Sequence, residues 1–232
     1  MLRDRSWALS RREQAFFESN GDASDDLRDS WSMEYETLTV RCRRSRYCTE
    51  DLDPFKMRFV EFRFFQADQL VSVAALREWA LAEPALVDNA LFVDAADSLS
   101  QTDYEMAEFV ASVWDDDDHP LEYGHIVHFD RLSIPRPHPW IWDALSSALT
   151  RQFAKRQSLL VVKAFPLEFE GRREDSSGTD NTHHPAFVKR QAAMRRHYMS
   201  KLGVRNMSGD GSGWMWRTVR GPEPDVERTR QR

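Results

Sequence analysis

Positions alternate over Met57–Phe65, where Phe59, Glu61, Arg63 and Phe65 oppose Val60, Phe62 and Phe64. A period of two predicts a strand, and aromatics on both faces predict that one face packs while the other is partly covered. Thr37–Arg44 has the same β-prone character. The run Leu70–Leu81 stays open. Leu70, Val73, Leu76 and Leu81 partly fit a helix, whereas Val71, Val73 and Ala75 fit a strand. Asp97–Trp114 reads as a helix with an apolar stripe of Met106, Phe109, Val110 and Val113. Ser100 or Thr102 can cap it, and Glu105 follows Thr102 at capping-box spacing. Asp115–Asp118 and Pro120 end that element in an acidic turn.

From residue 125 the pattern changes. His125–Ile134 reads as a strand and is followed by the proline-rich turn 135–139. Trp140–Gln157 is predicted as a helix with Ile141, Ala144, Leu145, Ala148, Leu149 and Phe153 on one face. Leu159–Phe165 is a continuous apolar run, which suits a central strand. The polar stretch Glu170–His184 reads as a loop. Pro185–Leu202 reads as a second amphipathic helix, with Phe187, Val188, Ala192, Met194, Tyr198 and Leu202 as core candidates and Gly203 as its C′ residue. Val204–Met207 and Trp214–Thr218 form a closing strand pair across the turn Ser208–Gly213. Together these elements predict an α/β fold of the α+β kind, with a mixed sheet flanked by helices. Residues 1–31 read as a polar tail with a short helix near Arg11–Phe17. Residues 32–220 form one domain, and 221–232 are a second tail.

Composition narrows the function classes. The 232 residues carry a formal net charge of −6, so no global basic excess draws nucleic acid. The local group Arg41, Arg43, Arg44 and Arg46 reads as a solvated face or strand edge, with an anionic-ligand patch as the alternative. Cys42 and Cys48 form no disulfide framework and are too few for a structural zinc site unless histidines join them. No apolar window is long enough to cross a membrane, and the N-terminus lacks a signal-peptide core, so the expected location is cytoplasmic. Four adjacent carboxylates at Asp115–Asp118 do not by themselves converge on one ion. His183, His184, Asp180 and His119 are weak metal candidates, and no metal is expected. Trp214 and Trp216 share a strand face and suit core or dimer packing better than base stacking.

The strand bearing Asp130-Arg131-Leu132, the following helix, the strand Leu159–Pro166 and the segment Arg195–Val204 with its Tyr198 and Leu202-Gly203 carry a resemblance. Over about residues 120–218 the chain resembles the GNAT superfamily of acetyl-CoA-dependent N-acyltransferases. That resemblance implies a splayed strand pair, His125–Ile134 and Leu159–Phe165, that takes acetyl-CoA. Its pyrophosphate would sit on free N–H groups at the start of the intervening helix. It further implies backbone contacts to the pantetheine arm from Leu132 and Ile134, phosphate contacts from Arg136 and His138, and Trp140 at the loop. Tyr198 would be the acid. Asp130 or His128, and less directly Glu122 or His125, would serve as base. Strand alternation puts His128 and Asp130 on one face. The partner would be an amine substrate or a protein, with a homodimer as a further option. The family's glycine signature at the phosphate loop is missing, because no glycine occurs between Gly124 and Gly171. A second expectation therefore stands beside the enzyme: a catalytically inactive GNAT-fold binding module whose CoA site is blocked by Pro139, Trp140 or Trp142.

Overall fold

The computed structural model describes residues 27–49, 52–83, 86–134, 138–166, 184–206 and 212–220. The expected helix near Arg11–Phe17, Arg136, the loop through His183 and the tail from 221 lie outside the described residues.

Eight strands form one mixed sheet in the order β1-β2-β3-β4-β5-β6-β8-β7. The strands are β1 Arg28–Tyr35, β2 Leu38–Arg44, β3 Phe55–Gln66, β4 Gln69–Leu81, β5 Ile126–Ser133, β6 Leu159–Lys163, β7 Arg205–Asn206 and β8 Trp214–Thr218. Among them lie α1 Asn89–Asp97, α2 Gln101–Val113, the short α3 Pro120–Tyr123, α4 Ile141–Phe153 and α5 Pro185–Leu202. Every neighbouring pair is antiparallel except β5 and β6, which run parallel across the α4 crossover. The ambiguous run Leu70–Leu81 is a strand. Its pairing with β3 and β5 on either side satisfies the backbone and overrides the weak helical spacing. The β3–β4 turn places Ala67 and Asp68 at φ 47° and 62°, the conformation that matches the twist of a two-residue hairpin.

Alternate residues of the sheet feed two cores. Val60, Phe62, Ala74, Leu76, Val127 and Phe129 face α4 and the C-terminal end of α5. Phe55, Met57, Trp79, Ile126, Val161 and Trp214 face α1, α2 and α3. The α4 face read from the sequence, Ile141, Ala144, Leu145, Ala148, Leu149 and Phe153, is fully buried. Trp214 stacks on Phe109 and Trp216 meets Trp114 edge-on, so both tryptophans are spent within the fold.

Three local readings change, and one open choice is resolved. β1 begins at Arg28, inside the stretch whose polarity reads as a tail, because its exposed edge needs few apolar residues. The helix α1 replaces an undefined stretch, with Asp88 accepting from the Ala90 and Leu91 N–H groups. Of the two expected caps of α2 the structure uses Ser100, paired with Asp103, and not Thr102 with Glu105. On α5 only Phe187 and Leu202 are buried, while Val188 is exposed. Val188 lies one residue, about 100° of helix, away from Phe187.

Candidate functional site

The sheet is interrupted at one place. β5 and β6 pair over only four positions, Ile126–Phe129 against Leu159–Val162. Beyond them β5 continues along β4, where Leu76 faces Phe129 and Ala75 faces Arg131, so Asp130 is the extra residue of a β-bulge. β6 meanwhile stays with β8, Lys163 opposing Trp214. Among the described residues, β5 from Asp130 to Ser133 therefore has no strand partner on its β6 side. Leu132 and Ile134 pack half-buried on the α4 side of this wedge.

The bulge positions a buried ionic cluster on the α2 side. Arg77 Nη1 lies 2.6 Å from Asp103 Oδ2, and Arg77 Nη2 lies 3.3 Å from Asp130 Oδ2. The Ser100 hydroxyl donates to Asp103 Oδ2 at 2.7 Å, and His128 Nδ1 sits 3.5 Å from Asp103 Oδ1. His128 is 1% exposed and packs against the Trp214 ring at 5.5 Å. Burial alone would raise the Asp103 pKa, but the His128 hydrogen bond and the Arg77 charge outweigh it and hold it at about 2. Burial likewise opposes the charge on Arg77, and Asp103 and Asp130 more than restore it. Further along this face, Lys163 pairs with Glu105 and lies 5.4 Å from the centre of the Trp214 ring.

The opposite face carries a second cluster. Glu78 is fully buried, with Oε2 2.5 Å from Arg58 Nη2 and Oε1 2.7 Å from both His125 Nδ1 and Arg156 Nη1. The Arg58 guanidinium also stacks on Tyr47 at 4.4 Å. Desolvation opposes the Glu78 charge, yet these partners lower its pKa to about 2. Arg77 and Glu78 are adjacent, so strand alternation sends them to opposite faces. His125 thus joins a structural cluster rather than the wedge.

At the start of α4, the His138 Nδ1 accepts the Trp140 N–H at 3.3 Å, and the His138 carbonyl accepts the Ile141 N–H at 3.4 Å. Asp143 places a carboxylate in the first turn, and the Trp140 side chain makes no cap. His119 and His184 behave in the same way. Each accepts from the N–H two residues on, at 3.2 Å, and each precedes a proline at the first helical position. His119 and His184 are thus side-chain N-caps, each followed by a proline at the first helical position, whereas His138 stands two residues before the α4 N-cap Trp140 and accepts that residue's N–H. His119 is buried against Phe92, and burial lowers its pKa to about 4. Among the described residues no group of three or more His, Cys, Asp or Glu is placed to hold a metal ion.

Tyr198 lies on α5 against Trp142 of α4, with ring centres 5.9 Å apart, and Trp142 also meets His197 edge-on at 4.7 Å. Burial pushes the Tyr198 phenol up to about 12. The structure therefore brings His128 and Asp130 together with Arg77 and Asp103, while Tyr198, Leu132 and Ile134 occupy the other side of the sheet. Glu122 lies near the start of α1, with Oε1 3.5 Å from the Val87 N–H. Arg136 is outside the described residues, and Trp140 is partly exposed at the α4 start. The missed residues are Arg77, Asp103, Glu78, Arg58 and Arg156. Adjacent opposite charges inside the apolar run of β4 were the available signal, because buried charges need partners. No helix among the described residues is long and apolar enough to cross a membrane. Comparison of the chain with family models, curated proteins and solved structures found no match.

Proposed function

We propose that the chain is a GNAT-like N-acyltransferase that moves an acetyl group from acetyl-CoA to an amine. The observation carrying this reading is the wedge: a parallel β5–α4–β6 unit whose pairing stops at Phe129 and Val162, beside a bulge at Asp130. Acetyl-CoA would supply the thioester carbonyl that the amine attacks. The C–S bond breaks, and the thiolate takes up a proton as the amine loses one. The unpaired edge of β5 offers backbone groups to an extended amide-bearing arm. Asp130 is tied to Arg77, and His128 is sealed under Trp214, so both suit positioning of the bulge better than proton transfer. Tyr198 at about 12 lies some 3.5 units above a free thiol near 8.5, making proton transfer to a thiolate uphill by roughly 5 kcal/mol. Its role in this reading is a hydrogen-bond donor.

One observation favours the inactive binding module. His138 already engages two N–H groups at the α4 start, and Asp143 adds a negative charge where a pyrophosphate would lie. Titration calorimetry with acetyl-CoA separates the two readings. Saturable heat is expected for the enzyme, and no heat at millimolar ligand overturns it in favour of the module.

A further inference from the structure

The net charge of −6 hides a strong segregation. From Glu78 to Asp130 there are fourteen carboxylates and no Lys or Arg. That stretch builds α1, α2 and α3, which cover one face of the sheet. Asp88, Asp94, Asp97, Glu108 and Asp115–Asp118 are exposed on it, interleaved with exposed Leu86, Leu91 and Leu99. On the other side of the sheet α5 carries Lys189, Arg190, Arg195, Arg196 and Lys201 and no acidic residue. At 100° per residue, Val188, Lys189, Arg196 and Met199 fall within about 100° of one helix face. All four are exposed. Among the described residues Lys189, Arg196 and Lys201 make no ion pair.

We infer that the exposed face of α5 docks on the acidic α1–α3 cap of a second copy of this chain. Each surface has apolar side chains among charges of a single sign, and the signs are opposite. This is the complementarity that guides encounter and register in protein interfaces. The two surfaces lie on opposite faces of one sheet, so a single two-fold contact does not use both. The contact is heterologous, and copies add head to tail. The attraction acts between exposed charges, so salt controls it: the screening length falls from about 30 Å at 10 mM to about 3 Å at 1 M.

Sedimentation of the full chain tests this. At 10 mM salt the average mass is expected to rise above the 27.1 kDa monomer with concentration, without a plateau at the dimer, and to return to the monomer at 1 M. Two variants supply the decisive arm, each checked for an unchanged circular dichroism spectrum and thermal melt. One is Lys189→Gln with Arg196→Gln. The other is Asp94→Asn with Asp97→Asn, Asp117→Asn and Asp118→Asn. Each alone is expected to stay monomeric. Their equimolar mixture retains one intact α5 and one intact cap, so it is expected to stop at twice the monomer mass. A wild-type chain that stays monomeric at 10 mM salt overturns the inference, as does a mixture without heterodimer or variants that still self-associate. Retention on a heparin matrix without self-association would assign α5 to a polyanion instead.

Discussion

Replacing Glu78 with Gln tests the reading of the buried cluster that joins β3, β4 and the end of α4. The Glu78 carboxylate has no solvent exposure and faces Arg58, His125 and Arg156 at 2.5–2.7 Å. Glu78→Gln keeps the shape but removes the charge that Arg58 and Arg156 share, leaving the almost buried Arg58 without its ion-pair partner. Breaking a buried pair from one side costs about 3–5 kcal/mol, a large share of the roughly 5–15 kcal/mol that stabilises a domain. The pH dependence gives a sharper criterion. The Glu78 pKa falls from 4.5 to about 2 on folding, so the group contributes about 3 kcal/mol at neutral pH. A depressed carboxylate pKa gives stability that is present above 4.5 and lost as pH falls toward 2. By pH 3 about 2 kcal/mol of it is gone. Urea unfolding followed by circular dichroism, at pH 7 and at pH 3, measures both quantities. The gap between wild type and Glu78→Gln should be 3–5 kcal/mol at pH 7 and about 2 kcal/mol smaller at pH 3. A gap below about 1 kcal/mol at pH 7, or one that does not change with pH, would mean that the Glu78 charge does not hold this cluster together.

Further expectations follow from the same physics. His119 is held at about 4 by burial, below its usual 6.5, so the folded state binds its proton less readily than the unfolded chain. It therefore costs stability, by up to about 3 kcal/mol, as pH falls from 6.5 to 4. His119→Asn keeps a capping acceptor without titrating, so its unfolding free energy should change less across that window, and an unaltered slope would exclude His119 as the source. At Gly124 an added Cβ would lie 2.3 Å from the Arg156 carbonyl oxygen and 2.6 Å from that of Gln157. Gly124→Ala must shift backbone and should lower stability by about 1–3 kcal/mol in a thermal melt; an unchanged melt would mean the two loops are not held this close. Tyr198→Phe should lower turnover by less than about ten-fold if the phenol only donates a hydrogen bond, whereas a loss of two or more orders of magnitude would restore it as the acid.

The elements with strong periodicity were legible in the chain. The α4 stripe from Ile141 to Phe153 was readable because helical spacing and burial coincide there, and β3 was readable from its period of two. Gly203 takes φ 66° at the end of α5, as its place after Leu202 predicts. β4 was not decidable from its own residues, since its strand state comes from partners on both edges. The wedge was legible only as a resemblance, because where β5 leaves β6 is a property of pairing and of the Asp130 bulge. The ionic clusters were hidden for a related reason. Arg77 finds Asp103 across 26 positions and Glu78 finds Arg156 across 78, distances that no local pattern spans. The His-Pro caps at His119 and His184 need no tertiary contact and are a signal in plain sequence. His138, which the resemblance assigns to phosphate, has its Nδ1 engaged by the Trp140 N–H just before α4.

Whether the wedge between β5 and β6 receives acetyl-CoA is tested most directly by amide hydrogen exchange of the full chain with and without saturating acetyl-CoA. Protection concentrated in residues 130–134 of the β5 edge and in the first turn of α4 is the predicted result. Unchanged exchange there, or protection confined to other elements, would contradict it.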